Sequence, residues 1–102
     1  MTDEGKKLVN RCNELGIIID VSHLSDRAFY DVYELSPMPF LATHSNFREI
    51  CDSPRNLTRD MALKVAERGG VVGLNLYPGF LNLSGKADRE DILREVDYAL
   101  NL

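Results

Sequence analysis

The stretch GIIIDVSHLS, residues 16–25, decides the reading of this chain. Gly16 stops a helical pattern that precedes it. Ile17, Ile18, Ile19 and Val21 then form a β-branched run, and His23 stands at its end. A continuous apolar run without alternation suits a strand covered on both faces, as in a parallel sheet. The same order recurs in PMPFLATHSN, residues 37–46, with a second expected strand over 40–43 and His44 at its end. A third run, GGVVGLNLYPGFL at 69–81, gives a strand over 71–76 that Pro78 and Gly79 break into a loop. Metal ligands and substrate-binding groups gather at the carboxyl ends of parallel strands, where both histidines stand.

Helical patterns separate these runs. Leu8, Cys12 and Leu15, with Val9 beside them, predict a helix over 4–15. Ser25 caps a second helix with Ala28, Phe29, Val32 and Leu35 inward, ended by Pro37 and Pro39. Thr58 caps a third, with Asp60 in its first turn and Met61, Ala62, Val65 and Ala66 inward; Gly69 and Gly70 close it. Asp88 caps a last helix with Ile92, Val96, Ala99 and Leu100 on one face. Strands alternating with helices of this length mean right-handed βαβ units and a parallel α/β sheet. Three strands leave two open edges, so the runs look built for a larger assembly.

The 102 residues suit one small domain, and a hydrophobic share of 44% suffices for a packed core. The net charge of −4 argues against nucleic acid as a partner, because phosphate binding needs a basic face. No apolar stretch approaches the roughly 20 residues that cross a bilayer, so no membrane partner is expected. Cys12 and Cys51 are the only cysteines and read as free thiols, which makes a cytoplasmic location the default expectation.

His44 follows His23 by 21 residues, and Arg55 follows His44 by 11. Two imidazoles at equivalent ends of adjacent parallel strands are expected roughly 5–7 Å apart, given a strand spacing of about 4.8 Å. That suits one zinc, at about 2.1 Å from each nitrogen. The alternative is two buried histidines bonded to loop backbone. Alternation along a regular strand puts His23 and Val21 on one side and Asp20 and Ser22 on the other. Asp20 is therefore expected to hydrogen-bond behind the ligands or to a neighbouring loop. Ser45 and Asn46 stand ready to orient the His44 ring or to cap a turn. Arg55 offers a fork for a carboxylate, or a surface ion pair with Asp52 or Asp60. Tyr77 and Phe80 follow the third strand and either wall a pocket or pack an ordinary loop. Cys51 is near enough in sequence to reach the site, or is a plain free thiol. No HxD, HxH or HExxH is present to complete a three-ligand zinc site.

Taken together, IIIDVSHLS, PFLATHSN, PRNLT and GGVVGLNLYPGFL closely resemble the membrane dipeptidase (renal dipeptidase) family of zinc metallopeptidases, from about Gly5 to Leu100. The resemblance implies a TIM-type (β/α)8 barrel with a two-zinc site and hydrolysis of dipeptides by a metal-bridging hydroxide. It implies that His23 and His44 bind one of the zincs and that Arg55 holds the substrate or its tetrahedral intermediate. The family's early HxD motif, its bridging glutamate and its late catalytic aspartate have no counterpart here. Residues 1–102 are accordingly expected to be a single partial domain, like the fifth to seventh βα units of the barrel. Such a chain holds at most one partial zinc site and needs the missing barrel portion for activity. The alternative is a non-catalytic α/β module that self-associates through its open sheet edges. A flavodoxin-type binding module would need a glycine-rich phosphate loop where DVSHLS stands.

Overall fold

Helix ends fall where the capping chemistry puts them. In the computed structural model, which describes residues 1–102, α1 spans Asp3–Leu15, α2 Asp26–Leu35, α3 Arg59–Glu67, α4 Pro78–Leu81 and α5 Arg89–Leu100. Side chains of Thr2, Ser25, Thr58 and Asp88 each accept from a backbone N–H in the first turn of α1, α2, α3 and α5. Asp88 and Asp91 complete a reciprocal capping box. Gly16 closes α1 at φ 71°, a conformation that favours glycine. The short α4 begins on Pro78, where a loop was expected, because proline suits the first helical position.

The three apolar runs lie side by side in parallel, in chain order. Leu41 N–H donates to Ile19 O at 2.9 Å and Val21 N–H to Leu41 O at 2.7 Å. Ala42 N–H donates to Val71 O at 3.0 Å and Gly73 N–H to Ala42 O at 2.8 Å. The pairing stays at isolated bridges, Asp20 with Leu41 and Ala42 with Val72, and does not extend into the three-stranded sheet expected. The segments are too short to ladder further. Pro37 and Pro39 have no N–H to offer before the second segment, and the first turns back at once through a Leu24 N–H to Val21 O bond.

The core lies on one side of these segments. Val9 of α1, Phe29 and Val32 of α2, and Met61 and Val65 of α3 pack with Val21, Phe40, Ala42 and Leu57. Phe29 meets Phe40 edge to face, with ring centroids 5.7 Å apart. The other side is open: Ile17 is 53% exposed, Ile18 62% and Val71 64%. Cover on both faces, expected from the unbroken runs, is not provided within this chain. No helix is long and apolar enough to cross a membrane.

Two helices turn a different face inward from the one expected. α1 docks through Val9, with Leu8 and Leu15 exposed, and the Ser36 hydroxyl donates to Asn13 Oδ1 at 2.9 Å on the docked side. α5 docks through Asp91 and Glu95 and leaves Leu100 outside. Its Glu95 carboxyl accepts from Phe47 N–H at 2.9 Å, and its Tyr98 ring packs at a tilt against Phe47, with centroids 5.1 Å apart. A polar anchor thus overrides the apolar stripe.

The third segment approaches the second so closely that a side chain would collide. A Cβ on Gly73 would stand 2.2 Å from the Thr43 carbonyl oxygen, and one on Gly70 would stand 1.9 Å from that of Phe40. Gly73→Ala is expected to destabilise the chain by about 1–3 kcal/mol, read as a lowered urea midpoint. Burial pushes the Glu95 carboxyl from its ordinary 4.5 up to about 7. Between those values the folded chain binds more protons than the unfolded one, so stability falls as pH rises through that window. The loss is on the order of 3 kcal/mol. Denaturation at pH 5 and pH 8 measures it, and Glu95→Gln is expected to flatten the difference.

Candidate functional site

The first and second segments end side by side, and their ends carry the histidines. His23 takes φ 76°, the only positive φ outside glycine. It follows Ser22 inside the Val21–Leu24 turn, at the position where a type II turn needs positive φ. The strand is therefore not regular to its end, and side-chain alternation does not set the direction of this ring. A non-glycine residue held there costs of order 1 kcal/mol, which the surrounding bonds must offset.

His44 is held by backbone and ring together. Its N–H donates to Ser22 Oγ at 3.1 Å, and its Nδ1 lies 2.8 Å from Thr43 Oγ1. Thr43 Oγ1 in turn donates to Asp20 Oδ2 at 2.5 Å. Asp20 Oδ1 accepts from Ser22 N–H at 3.0 Å and from Thr43 N–H at 3.1 Å. Partial burial pulls the Asp20 pKa upward, but these bonds from Thr43 and Ser22 outweigh it and leave the carboxyl below its ordinary range. The expectation that Asp20 works by hydrogen bonding fits this geometry. Ser45 and Asn46 do not orient the ring: Ser45 Oγ pairs with Ser22 Oγ at 3.0 Å, and Asn46 turns away to Asn75 and Phe80.

The two imidazoles meet. His23 Nε2 and His44 Nε2 stand 2.9 Å apart, with ring centroids at 4.8 Å, closer than strand spacing alone suggested. Two nitrogens bound to one tetrahedral zinc stand about 3.4 Å apart, from bond lengths near 2.1 Å. A small swing of the exposed His23 ring meets that distance, so the pair fits a divalent metal as two of its ligands. No group of three or more His, Cys, Asp and Glu side chains converges in the chain. The backbone-bonded alternative is not what the rings adopt; both His44 nitrogens and the His23 Nε2 meet side chains.

Arg55 joins the pair. Its guanidinium donates to the His44 carbonyl at 3.0 Å and lies over the Phe80 ring at 5.2 Å, and its Nε is buried without a partner. The surface ion pair with Asp52 or Asp60 is not formed. Phe80 also packs at a tilt against Tyr77, with centroids 4.8 Å apart, so the third segment's loop reaches the same corner. A cavity of about 10 Å³ touches both His23 and Arg55, room for about one water. Cys51 is buried and lies with Gly79 O, away from the histidines.

The frame behind this corner rests on residues that sequence reasoning passed over. Asn46 bridges Asn75 through both its amide atoms, at 2.8 Å each, and Asn56 Nδ2 holds the carbonyls of Cys51 and Phe80. Arg48 forks onto Asp26 at 2.9 and 3.0 Å and bonds the carbonyls of Pro54 and Asn56. Those bonds from Arg48 hold the Asp26 carboxyl below its ordinary range. The one available signal was THSN repeating the SH of the first segment, which marks Ser22 and Thr43 as equivalent.

Comparison with known proteins matches residues 1–102 to the sequence model described as membrane dipeptidase (Peptidase family M19). An uncharacterized protein from the region 5′ of pqqA in Klebsiella pneumoniae is 38% identical over 106 residues, covering 100% of this chain and 39% of that protein. The crystal structure of dipeptidase AC, a metallopeptidase, superposes with TM-score 0.93 at 39% identity, covering 98% of this chain and 30% of that one. A metallopeptidase from Rhodobacter sphaeroides, liganded with a phosphinate mimic of the dipeptide L-Ala-D-Ala, superposes with TM-score 0.92 at 39% identity, again over 98% of this chain and 30% of that one. The chain thus spans between 30% and 39% of the length of these relatives.

Arg48→Ala is expected to destabilise the chain by about 1–2 kcal/mol, because it leaves the part-buried Asn56 carbonyl without its donor and removes the fork on the half-exposed Asp26. Arg48→Lys should recover only part of this, since an ammonium cannot fork. Urea denaturation of both variants checks the order.

Proposed function

The chain belongs to the membrane dipeptidase family of metallopeptidases, and from that premise we propose that His23 and His44 hold one zinc of a dipeptide-hydrolysing site in which Arg55 holds the substrate. The observation that carries this reading is the meeting of the two Nε2 atoms at 2.9 Å, with the Arg55 guanidinium on the His44 carbonyl. In this reading the three parallel segments are the fifth to seventh βα units of a (β/α)8 barrel, and the exposed Ile17, Ile18 and Val71 face the rest of it.

A bound metal polarises the scissile carbonyl and lowers the pKa of a water molecule. This chain's residues do the rest of what falls to them. His23 and His44 present imidazole nitrogens from two adjacent segment ends. Arg55, one arm fixed on the His44 carbonyl, offers the remainder of its fork to a dipeptide carboxylate or to the oxyanion that develops on hydrolysis. Phe80, under the guanidinium, fixes its plane, and Tyr77 extends the apolar wall towards a substrate side chain. The remaining metal ligands and catalytic carboxylates come from outside these 102 residues, so the chain by itself is expected to be inactive on dipeptides.

A second reading draws on the same exposed faces: self-association through the open edges of the paired segments. Sedimentation separates the two, since a stable monomer at micromolar concentration removes the second.

A zinc titration followed by NMR of the imidazole signals tests the first. Both histidines should shift together and saturably, and His44→Ala should abolish binding. A folded chain in which neither signal moves would remove the metal reading.

A further inference from the structure

The bonds around Thr43 fix where the proton on His44 sits. The Thr43 hydroxyl has a single proton to give. Its oxygen lies 2.5 Å from Asp20 Oδ2 and 2.8 Å from His44 Nδ1. An ionised carboxylate only accepts, so the hydroxyl proton is committed to Asp20. Thr43 Oγ1 then faces His44 with a lone pair, and Nδ1 must be the donor. Neutral His44 is thereby the Nδ1–H tautomer, and its Nε2 carries a bare lone pair towards His23.

The carboxylate cannot turn to relax this arrangement. Asp20 Oδ1 is occupied by the N–H groups of Ser22 and Thr43. The same two residues hold the second segment against the first, and Ser22 Oγ accepts from His44 N–H. The ring is thus fixed at its backbone and at its Nδ1. His23 is not held in this way: its Nδ1 makes no hydrogen bond within the chain, and its Nε2–H is what the bare His44 Nε2 accepts.

We propose that Asp20 and Thr43 are positioning residues that lock His44 in the Nδ1–H tautomer and so keep its Nε2 lone pair ready for the metal. This rests on the reading of His23 and His44 as ligands. It adds that the two ligands differ, one preset by a carboxylate–hydroxyl relay and the other free to swing. The fixed ring defines where the ion sits, and the mobile ring closes on it. Partners of this kind behind a ligand are typically worth a factor of about 10–100 in metal affinity.

Asp20→Asn gives a result that a merely structural role would not. An asparagine that keeps Oδ1 on the two N–H groups turns its amide donor to Thr43 Oγ1. The hydroxyl then donates its hydrogen bond to His44 Nδ1, which becomes the acceptor, and the ring's own proton sits on Nε2. Thr43→Val removes the relay, and Thr43→Ser retains it.

The experiment is long-range 1H–15N correlation of 15N-histidine-labelled chain without metal, at a pH where the rings are neutral, joined to zinc competition against a chelating dye. Wild type and Thr43→Ser should show His44 protonated at Nδ1. Asp20→Asn should show it protonated at Nε2, and Thr43→Val should lose the Nδ1–H preference. Zinc affinity should fall about 10–100-fold in Asp20→Asn and Thr43→Val and stay near wild type in Thr43→Ser. A wild-type His44 protonated at Nε2 overturns the proposal, as does a Thr43→Val chain with unchanged tautomer and unchanged affinity. If Asp20→Asn fails to fold, Thr43→Val against Thr43→Ser decides alone. The metal reading fails separately: wild type with the expected tautomer but no zinc binding supports the relay and removes the ligand assignment.

Discussion

The Asp20 carboxylate is the point from which the site hangs. It accepts three hydrogen bonds, from Ser22 N–H, Thr43 N–H and the Thr43 hydroxyl. Two belong to the end of the neighbouring segment. A carboxylate accepting such bonds from fixed donors forms among the stronger hydrogen bonds a protein makes. It sits where the backbone ladder stops, so it replaces the next rung of a sheet that does not continue. Without it the ends of the first two segments would be tied, beyond the Asp20–Leu41 bridge, only by the Ser22 hydroxyl with His44 N–H and Ser45 and by the contact of the two imidazoles. His23 and His44 would then be carried on two more loosely joined turns.

A second layer of polar side chains does the same for the loops behind. Arg48 and Asn56 take up backbone groups of the irregular chain between the second segment and α3, and Asn46 and Asn56 those of the third segment and its loop at Asn75 and Phe80. Buried backbone polar groups must find partners, and with so little sheet here the partners are side chains. This is why Asn46 and Asn56 are nearly inaccessible although they are amides. The apolar core under α1, α2 and α3 fixes the segments from one side, and the polar frame fixes the loops from the other. Arg55 and Phe80 stand where the two systems meet, which explains how residues 25 positions apart come to share one corner.

Much of this was legible in the chain. Caps at Thr2 aside, the capping residues of α2, α3 and α5 and the glycine that ends α1 were read from local chemistry, which acts within one turn. Phe29, Val32, Met61 and Val65 came from helical periodicity and are buried. Most of the failures share a cause. Leu8, Leu15, Ile17, Ile18 and Leu100 are apolar residues whose spacing demands cover, and the cover is not within these 102 residues. Periodicity reports that a face is to be buried, not what buries it. For α5 the docked face is set by Glu95, a group that hydropathy assigns to solvent.

Residue order alone determined that two histidines would close two parallel segments, that an arginine would follow them, and that the motifs are those of a dipeptidase family. Those facts depend on short-range pattern. Tertiary structure alone decided that the imidazoles touch through Nε2, that Thr43 and not Ser45 or Asn46 orients His44, and that Arg55 anchors on a carbonyl while Arg48 takes the ion pair. The reason is physical: a side chain's partner is set by which segment end comes to lie beside it, and that is a property of packing between chain stretches some 20 to 30 residues apart.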